Sequence, residues 1–339
     1  MSHFSTGARR PQIKPPMLRT PGFGSTLTPM SLSPDDALCA RAAMQHGVVS
    51  IAQARAAGVP DESIRTRVRR GEYRRLQRGV LLIDAQLYPE VPWMTRAFAS
   101  QLRHGPQAVI GVGSATRRLG IAGADTDERI IDVVLPPGTE RHQVPGIALH
   151  FWPLSPDEVM ELGGLRVTTA TRTLADLALH VPRNCAVSAM DSALHQNLVT
   201  PDELQLAKAL TRGRPLCRKA DEWWDLADGR SESPLETWSR LDCIDGGVAP
   251  DDLQWNVLAH DGRFLGRADM AWKKRRRALV AEADGAGPHS QPDALFEDRR
   301  RANDFVAANV DIVRFTWRDA RLRGCCAAIV RGALRSEDR

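Results

Sequence analysis

Near the C-terminal end, a short apolar run carries two acids. In LVAEADG, Leu279 to Gly285, strand alternation puts Val280, Glu282 and Asp284 on one face and Leu279, Ala281 and Ala283 on the other. Two carboxylates at i, i+2 on an otherwise core-like strand are expensive to bury as bare anions. A divalent cation would offset that cost, because hard cations take carboxylate oxygens. A third acid comes from GRFLGRADMAW, Gly262 to Trp272, a strand entered through the turn HDG with Arg267 and Asp269 on one face. A hairpin through the basic turn KKRRR, residues 273–277, brings Asp269 beside Glu282. A fourth, Glu236, lies one turn into a helix opened by the Ser-x-x-Glu pattern of SESPLETWSRL. Each acid taken alone reads equally well as a solvated or salt-bridged residue; their order on core-like strands is what favours a common site.

The elements required to position them follow one another along the chain. After the hairpin, DALFEDRRRANDFVAANV reads as a helix and DIVRFTW as a strand, so the C-terminal unit is helix, strand, strand, helix, strand. The basic runs 273–277 and 299–301 flank the acids and suit a DNA backbone, which the acids alone would repel.

A second concentration of charge sits near the other end. Between Arg65 and Arg78 there are seven arginines, at 65, 67, 69, 70, 74, 75 and 78, against one acid, Glu72. SPDDALCARAAMQHG starts with a capping Ser33 and a Pro in the first turn and stops at Gly47; SIAQARAAG is a second helix. PDESIRTRVRRG is a third, with Ile64 and Val68 inward, and EYRRLQRGVLLI is a β-hairpin turning near Arg78-Gly79. Three short helices and a hairpin define a winged helix-turn-helix, whose recognition helix and wing need such a basic surface to neutralise phosphates.

The middle of the chain reads as α+β, with strands in RIIDVVLP and GIALHFW and helices over Arg172–Leu179 and Ala186–Gln196. His150, His180 and His195 stand isolated in sequence and are expected to pack rather than ligate. The N-terminal 33 residues, rich in Pro, Ser, Thr and Gly, read as a disordered arm.

The bulk numbers agree with a multidomain globular chain: 339 residues, 42% hydrophobic, 26% charged, formal net charge +5. Six cysteines without CxxC spacing give neither a disulfide framework nor a cysteine zinc site. No run has the length of a signal or membrane segment, so a cytoplasmic location is expected.

Two families are similar to parts of this sequence. HGVVSIAQARAAGVPDESIRTRVRRGEYRRLQRGVLLI resembles the N-terminal domain of the AbiEi family of type IV antitoxins. The likeness runs on through AVIGVGSATRRLGI, IDVVLPPG, VPGIALHFWPL and GLRVTTATRTLADLA, covering about residues 35–210. It implies DNA binding and autoregulation beside a toxin. A departure lies at Gly111–Gly113, where a Ser-His pair is absent. SPLE, RADMAW, AEADG…H, EDRRR and VRFTW, over residues 231 to about 320, resemble the PD-(D/E)XK nucleases, closest to the very-short-patch-repair branch.

That second resemblance implies Asp269 and Glu282 as a metal-binding pair for Mg²⁺, or Mn²⁺, with Glu236 as an accessory acid. His289 and Arg301 would act at the phosphate, and Asp284 stands where many members place a lysine. The departures are this Asp284 and a GAGPH loop one residue longer than Gly-x-x-His spacing. The expected organisation is an α+β multidomain protein. It has an arm over 1–33, a winged helix-turn-helix over 34–88 and an α+β middle domain over 89–215. A restriction-endonuclease-like mixed α/β sheet domain spans 228–335. The expected partner is double-stranded DNA, with a toxin or a second copy of the chain as further candidates and no membrane. The expected function is Mg²⁺-dependent DNA cleavage; the alternative is a non-catalytic AbiEi-type antitoxin and repressor with a degenerate nuclease fold.

Overall fold

A computed structural model describes residues 33–140, 142–273, 277–285 and 303–335. Residues 1–32 of the expected arm, His289, Arg301 and the part of the expected helix before residue 303 lie outside these residues.

Helix α1 (Pro34–Met44) begins where Ser33 accepts the backbone N–H of Asp36, at 3.2 Å. Strand β1 (Val48–Ser50) leads into α2 (Ile51–Ala56), capped by a reciprocal Ser50–Gln53 box. Helix α3 (Asp61–Arg69) then runs to the hairpin of β2 (Arg74–Gln77) and β3 (Val80–Leu82), with Arg78-Gly79 at its turn. Gly79 sits at φ +78°, backbone that a Cβ would strain. The three strands form an antiparallel sheet in the order β1-β3-β2. One face of the unit closes over Leu38, Val49, Ile64 and Leu81, while Val48, Val80 and Leu82 point the other way into a second core.

That second core belongs equally to the middle of the chain. Helix α4 (Trp93–His104) lays Ala97 and Phe98 between Val48, Val80 and Leu82 on one side and Ile131, Val133 and Leu165 on the other. The N-terminal unit is therefore packed onto the middle unit through shared apolar burial. The middle sheet contains β4 (Val109–Ile110), β5 (Ile131–Leu135), β6 (Ile147–Phe151), β7 (Val159–Leu162) and β8 (Leu165–Thr168). Its order is β6-β5-β4-β8-β7, with β5–β6 and β4–β8 parallel. Helix α5 (Val112–Leu119) follows β4. Val112 opens that helix at φ +46°, a rare conformation for a β-branched residue, and Gly111 beside it has no room for a Cβ against Val134.

Helices α6 (Ala170–Ala178), α7 (Arg183–His195) and α8 (Pro201–Leu210) close a largely helical core, with α9 (Cys217–Ala220) beside them. Trp223 and Trp224 are buried in that core. The middle strands and helices expected from sequence thus occur where the pattern placed them.

The C-terminal unit opens with α10 (Pro234–Asp245), which packs on α7. It continues with β9 (Asp252–Leu258), β10 (Phe264–Trp272), β11 (Ala278–Ala283), a helical turn over 303–307 and β12 (Val310–Phe315). Helices α11 (Trp317–Arg321) and α12 (Cys325–Arg335) complete it. The sheet order is β12-β11-β10-β9, antiparallel except for the parallel β11–β12 pair. Strand β9, which carries Gln254 at φ +53°, was not anticipated from sequence.

Buried polar groups bolt the middle and C-terminal units together. Asp191 on α7 accepts the N–H of Asp228 at 2.7 Å, the Thr237 hydroxyl at 2.7 Å and the Arg240 guanidinium at 2.8 Å. Arg183 and Asp245 make a second, more exposed bridge at 2.7 Å.

Candidate functional site

The arginines of α3 and the hairpin fall into two groups. Arg67 is held within the unit: its guanidinium grips Asp35 at 2.6 and 2.7 Å and donates to the Tyr73 hydroxyl at 2.7 Å. Arg74 donates to the carbonyl of Tyr88 at 3.0 Å. These two side chains are drawn inward to structural partners, so they are not part of the presented basic surface.

The others remain outward. Arg65 and Arg69 rest against Glu62 at 3.2 and 3.3 Å with all three side chains about two-thirds exposed, and Arg70 reaches Glu72 only at 3.9 Å. Such exposed pairs contribute about 0–1 kcal/mol and give way readily to a phosphate. Arg75 and Arg78 are exposed and have no ion pair among the described residues. The single-sign run in sequence is therefore partly balanced in space by Asp35 and Glu62, acids lying before the run begins. The net surface of the β2–β3 turn stays basic.

At the other end, strand pairing sets Asp269 against the β11 backbone that carries Glu282. β10 and β11 pair with Met270 opposite Ala281, and just beyond, the Ala283 N–H donates to Asp269 Oδ2 at 2.7 Å. Glu236 faces the same region from α10. Ser233 caps that helix by accepting the Glu236 N–H, but the Glu236 carboxylate turns to the Glu232 N–H at 2.9 Å and the Gln254 amide at 2.8 Å. Burial pushes its carboxyl above the ordinary range, and the charge of Asp269 adds to the rise. Gln254, held in place by its left-handed backbone, is a contributor that sequence reading missed; no spacing signal marks it.

Across the parallel pair, Glu282 stands opposite Arg314. The Arg314 Nε lies 3.6 Å from Glu282 Oε2 and 3.6 Å from Asp284 Oδ2. A basic group thus adjoins the acids, supplied by β12 rather than by the Asp284 position. Arg267, on the Asp269 face as expected, is bound to Glu232 at 2.7 Å. Lys273 bridges to Asp252 at 2.8 Å, away from the acids. As placed, the acids suit a resident Mg²⁺ poorly. Asp269 and Glu236 are engaged by protein donors, and among the described residues no three His, Cys, Asp or Glu side chains gather to hold a metal ion.

A third cluster was invisible in sequence. His150 and His180, far apart in sequence, are neighbours in space, with rings 5.4 Å apart and Trp152 against both. His150 Nε2 is bonded to Asp132 Oδ1 at 2.9 Å, and the other oxygen of Asp132 takes the Ser114 N–H at 3.1 Å. The Ser114 hydroxyl also donates to that second oxygen at 3.3 Å and accepts the Asp132 N–H at 2.8 Å, so histidine and serine meet only through the carboxylate between them, not in the serine–histidine contact of a nucleophile and its base. Close by, Arg172 binds Asp176 and Glu158, and Arg214 binds Asp176 while lying over Trp152. All six cysteines are free thiols; burial pushes Cys185 up to about 11 and Cys326 up to about 12.

Comparison with known proteins fits the N-terminal geometry. Residues 37–83, from α1 through β3, match the family described as transcriptional regulator, AbiEi antitoxin. The N-terminal segment is thus similar to that family over 37–83. Over 197 residues the chain is 29% identical to two uncharacterized proteins of Mycobacterium tuberculosis, MT2308 of strain CDC 1551 and Rv2248 of strain H37Rv. Each likeness spans 58% of this chain and 70% of the relative. Among the described residues, no helix is long and apolar enough to cross a membrane.

Proposed function

We propose that the protein is a DNA-binding transcriptional regulator of the AbiEi antitoxin type, acting through a winged helix-turn-helix. In this reading α3 enters the major groove and the Arg78-Gly79 turn is the wing. Arg65, Arg69, Arg70, Arg75 and Arg78 neutralise phosphates, while Arg67 and Arg74 hold the helix and wing in place. The observation that carries it is the matched regulator segment over 37–83, which presents Arg75 and Arg78 outward with no ion pair among the described residues. The C-terminal unit is taken as a restriction-endonuclease-like fold that serves as scaffold or partner surface, its acids held by protein donors. A toxin and a second copy of the chain are the partners to seek there.

The test is selection of bound duplexes from a randomised pool, followed by gel shift with Arg75→Ala/Arg78→Ala. Recovery of a consensus bound by wild type and lost in the variant supports the reading. Failure to enrich any sequence overturns it.

A second reading, Mg²⁺-dependent DNA cleavage, is favoured by the pairing that sets Asp269 against the Ala283 N–H, between Glu282 and Asp284 in sequence. For that chemistry Asp269 and Glu282 would hold the metal after release from their present donors. Glu236, Asp284 and Arg314 would adjoin it. Cutting of supercoiled plasmid with Mg²⁺ or Mn²⁺, lost in Asp269→Ala and Glu282→Ala, supports this reading; intact plasmid under both metals removes it.

A further inference from the structure

Between the N-terminal and middle units runs an open groove of about 970 Å³. Its walls are α2 and the β2–β3 turn on one side and the C-terminal half of α4 with the following Gly105-Pro106 on the other. Four arginines line it, Arg55, Arg75, Arg78 and Arg103, together with Gln53 and Gln101, and no acidic side chain does. Arg55 is engaged by Asp61 at 2.8 and 2.9 Å, on the outer side of α2. Arg75, Arg78 and Arg103 have no ion pair among the described residues.

Like charges gathered without a counter-charge in a concave surface repel one another and focus positive potential. Packing does not require this arrangement, because the apolar groups that join the two units, Phe98 and Val80 among them, are already buried beneath it. The amides of Gln53 and Gln101 are spent within the fold, donating to Gln45 Oε1 at 2.9 Å and to the Ala108 carbonyl at 3.3 Å, so the outward charge of the groove comes from its arginines. The groove is also continuous with the hairpin turn, since Arg75 and Arg78 belong to both.

We propose that this groove carries the phosphodiester backbone of double-stranded DNA past the wing, so that Arg103 of the middle unit is part of the DNA interface. The inference rests on the DNA-binding reading above and extends its contact surface beyond the matched regulator segment. The shared core under α4 fixes Arg103 relative to Arg78, so the two arginines address the backbone as one preformed surface. Arg103 acts on the phosphates and reads no base.

The experiment is fluorescence anisotropy of the full chain on a fluorescein-labelled mixed-sequence duplex across a salt series. Each lost phosphate contact lowers the slope of log K against log salt by about 0.9. Arg103→Ala is expected to lower the slope by about one such contact, and Arg103→Lys to restore it. Arg75→Ala/Arg78→Ala is expected to lower it by about two. An unchanged slope and affinity for Arg103→Ala, with loss in the Arg75/Arg78 variant, overturns the groove and leaves the wing intact. No change in either variant overturns the wing reading as well.

Discussion

Arg67 and Asp35 join helix α3 to the first turn of α1 through paired bonds of 2.7 and 2.6 Å. The guanidinium also lies over the Tyr73 ring, 5.4 Å from its centroid, and donates to the Tyr73 hydroxyl. One arginine thus ties three elements: α1, α3 and the entry to the hairpin. Its charge is spent inside the unit, and the outward basic surface is left to its neighbours.

That division separates stability from binding. Arg67→Lys keeps the charge but loses the planar fork, so it is expected to lower stability by about 1 kcal/mol, a figure already reduced for the half-exposed Asp35. Denaturant midpoints measure this. Arg75→Ala/Arg78→Ala is expected to leave the same midpoint unchanged and to weaken DNA binding.

The pair also sets a pH dependence. The Arg67 hydrogen bonds hold the Asp35 carboxyl below the ordinary carboxylate range. A depressed folded-state value means that the unfolded chain takes up the proton first as acid is added. The stabilisation is therefore present above about pH 4, the unfolded range, and fades as pH falls through the lower folded value. The stability gap between wild type and Asp35→Asn should be full at neutral pH and shrink in acid. A gap that stays constant down to the acid limit contradicts the assignment.

Asp191→Ala tests the joint between the middle and C-terminal units. It leaves the buried Arg240 guanidinium and the Thr237 hydroxyl without their shared acceptor. Removing one partner of such a buried pair costs about 3–5 kcal/mol. Chemical denaturation should show that loss in one transition spanning both units. A variant as stable as wild type would show that Asp191 does not join them.

Arg314 beside Glu282 and Asp284 makes a prediction about metals. With a guanidinium next to both acids, the thermal midpoint of the wild-type chain should be the same in EDTA and in Mg²⁺. In Arg314→Gln the acids lose that positive charge, and the midpoint should rise on adding Mg²⁺ or Mn²⁺ because a cation then binds only the folded state. A wild-type midpoint that already climbs with Mg²⁺ would contradict the account of the cleft.

Gly123 is a packing test. Its φ is +86°, and a Cβ there would overlap the Cβ of Ser188 on α7. Gly123→Ala is expected to destabilise by about 1–3 kcal/mol from the left-handed backbone, with overpacking added. Thermal unfolding reports it.

The N-terminal unit was legible because its signals are local. Ser33, Ser50 and the Pro60-Asp61-Glu62 opening mark helix starts, and Arg78-Gly79 marks a turn within a few residues. The pairing of β10 with β11, which sets Asp269 against the Ala283 N–H, followed from alternation and one basic turn. Partnerships across long separations were not legible. Asp35 reaches Arg67, Arg314 reaches Glu282, and His150 meets His180, each fixed by tertiary packing that no spacing encodes. Helix α4 was missed for a related reason. It is amphipathic toward two units at once, and its role appears only when both sheets are in place.

The most direct test of the regulator account is a footprint of the full chain on a selected duplex in the presence of Mg²⁺. The account predicts one discrete protected stretch with both strands intact, lost in Arg75→Ala/Arg78→Ala. Strand breaks that require Mg²⁺ and vanish in Asp269→Ala, or the absence of any protected stretch, would contradict it.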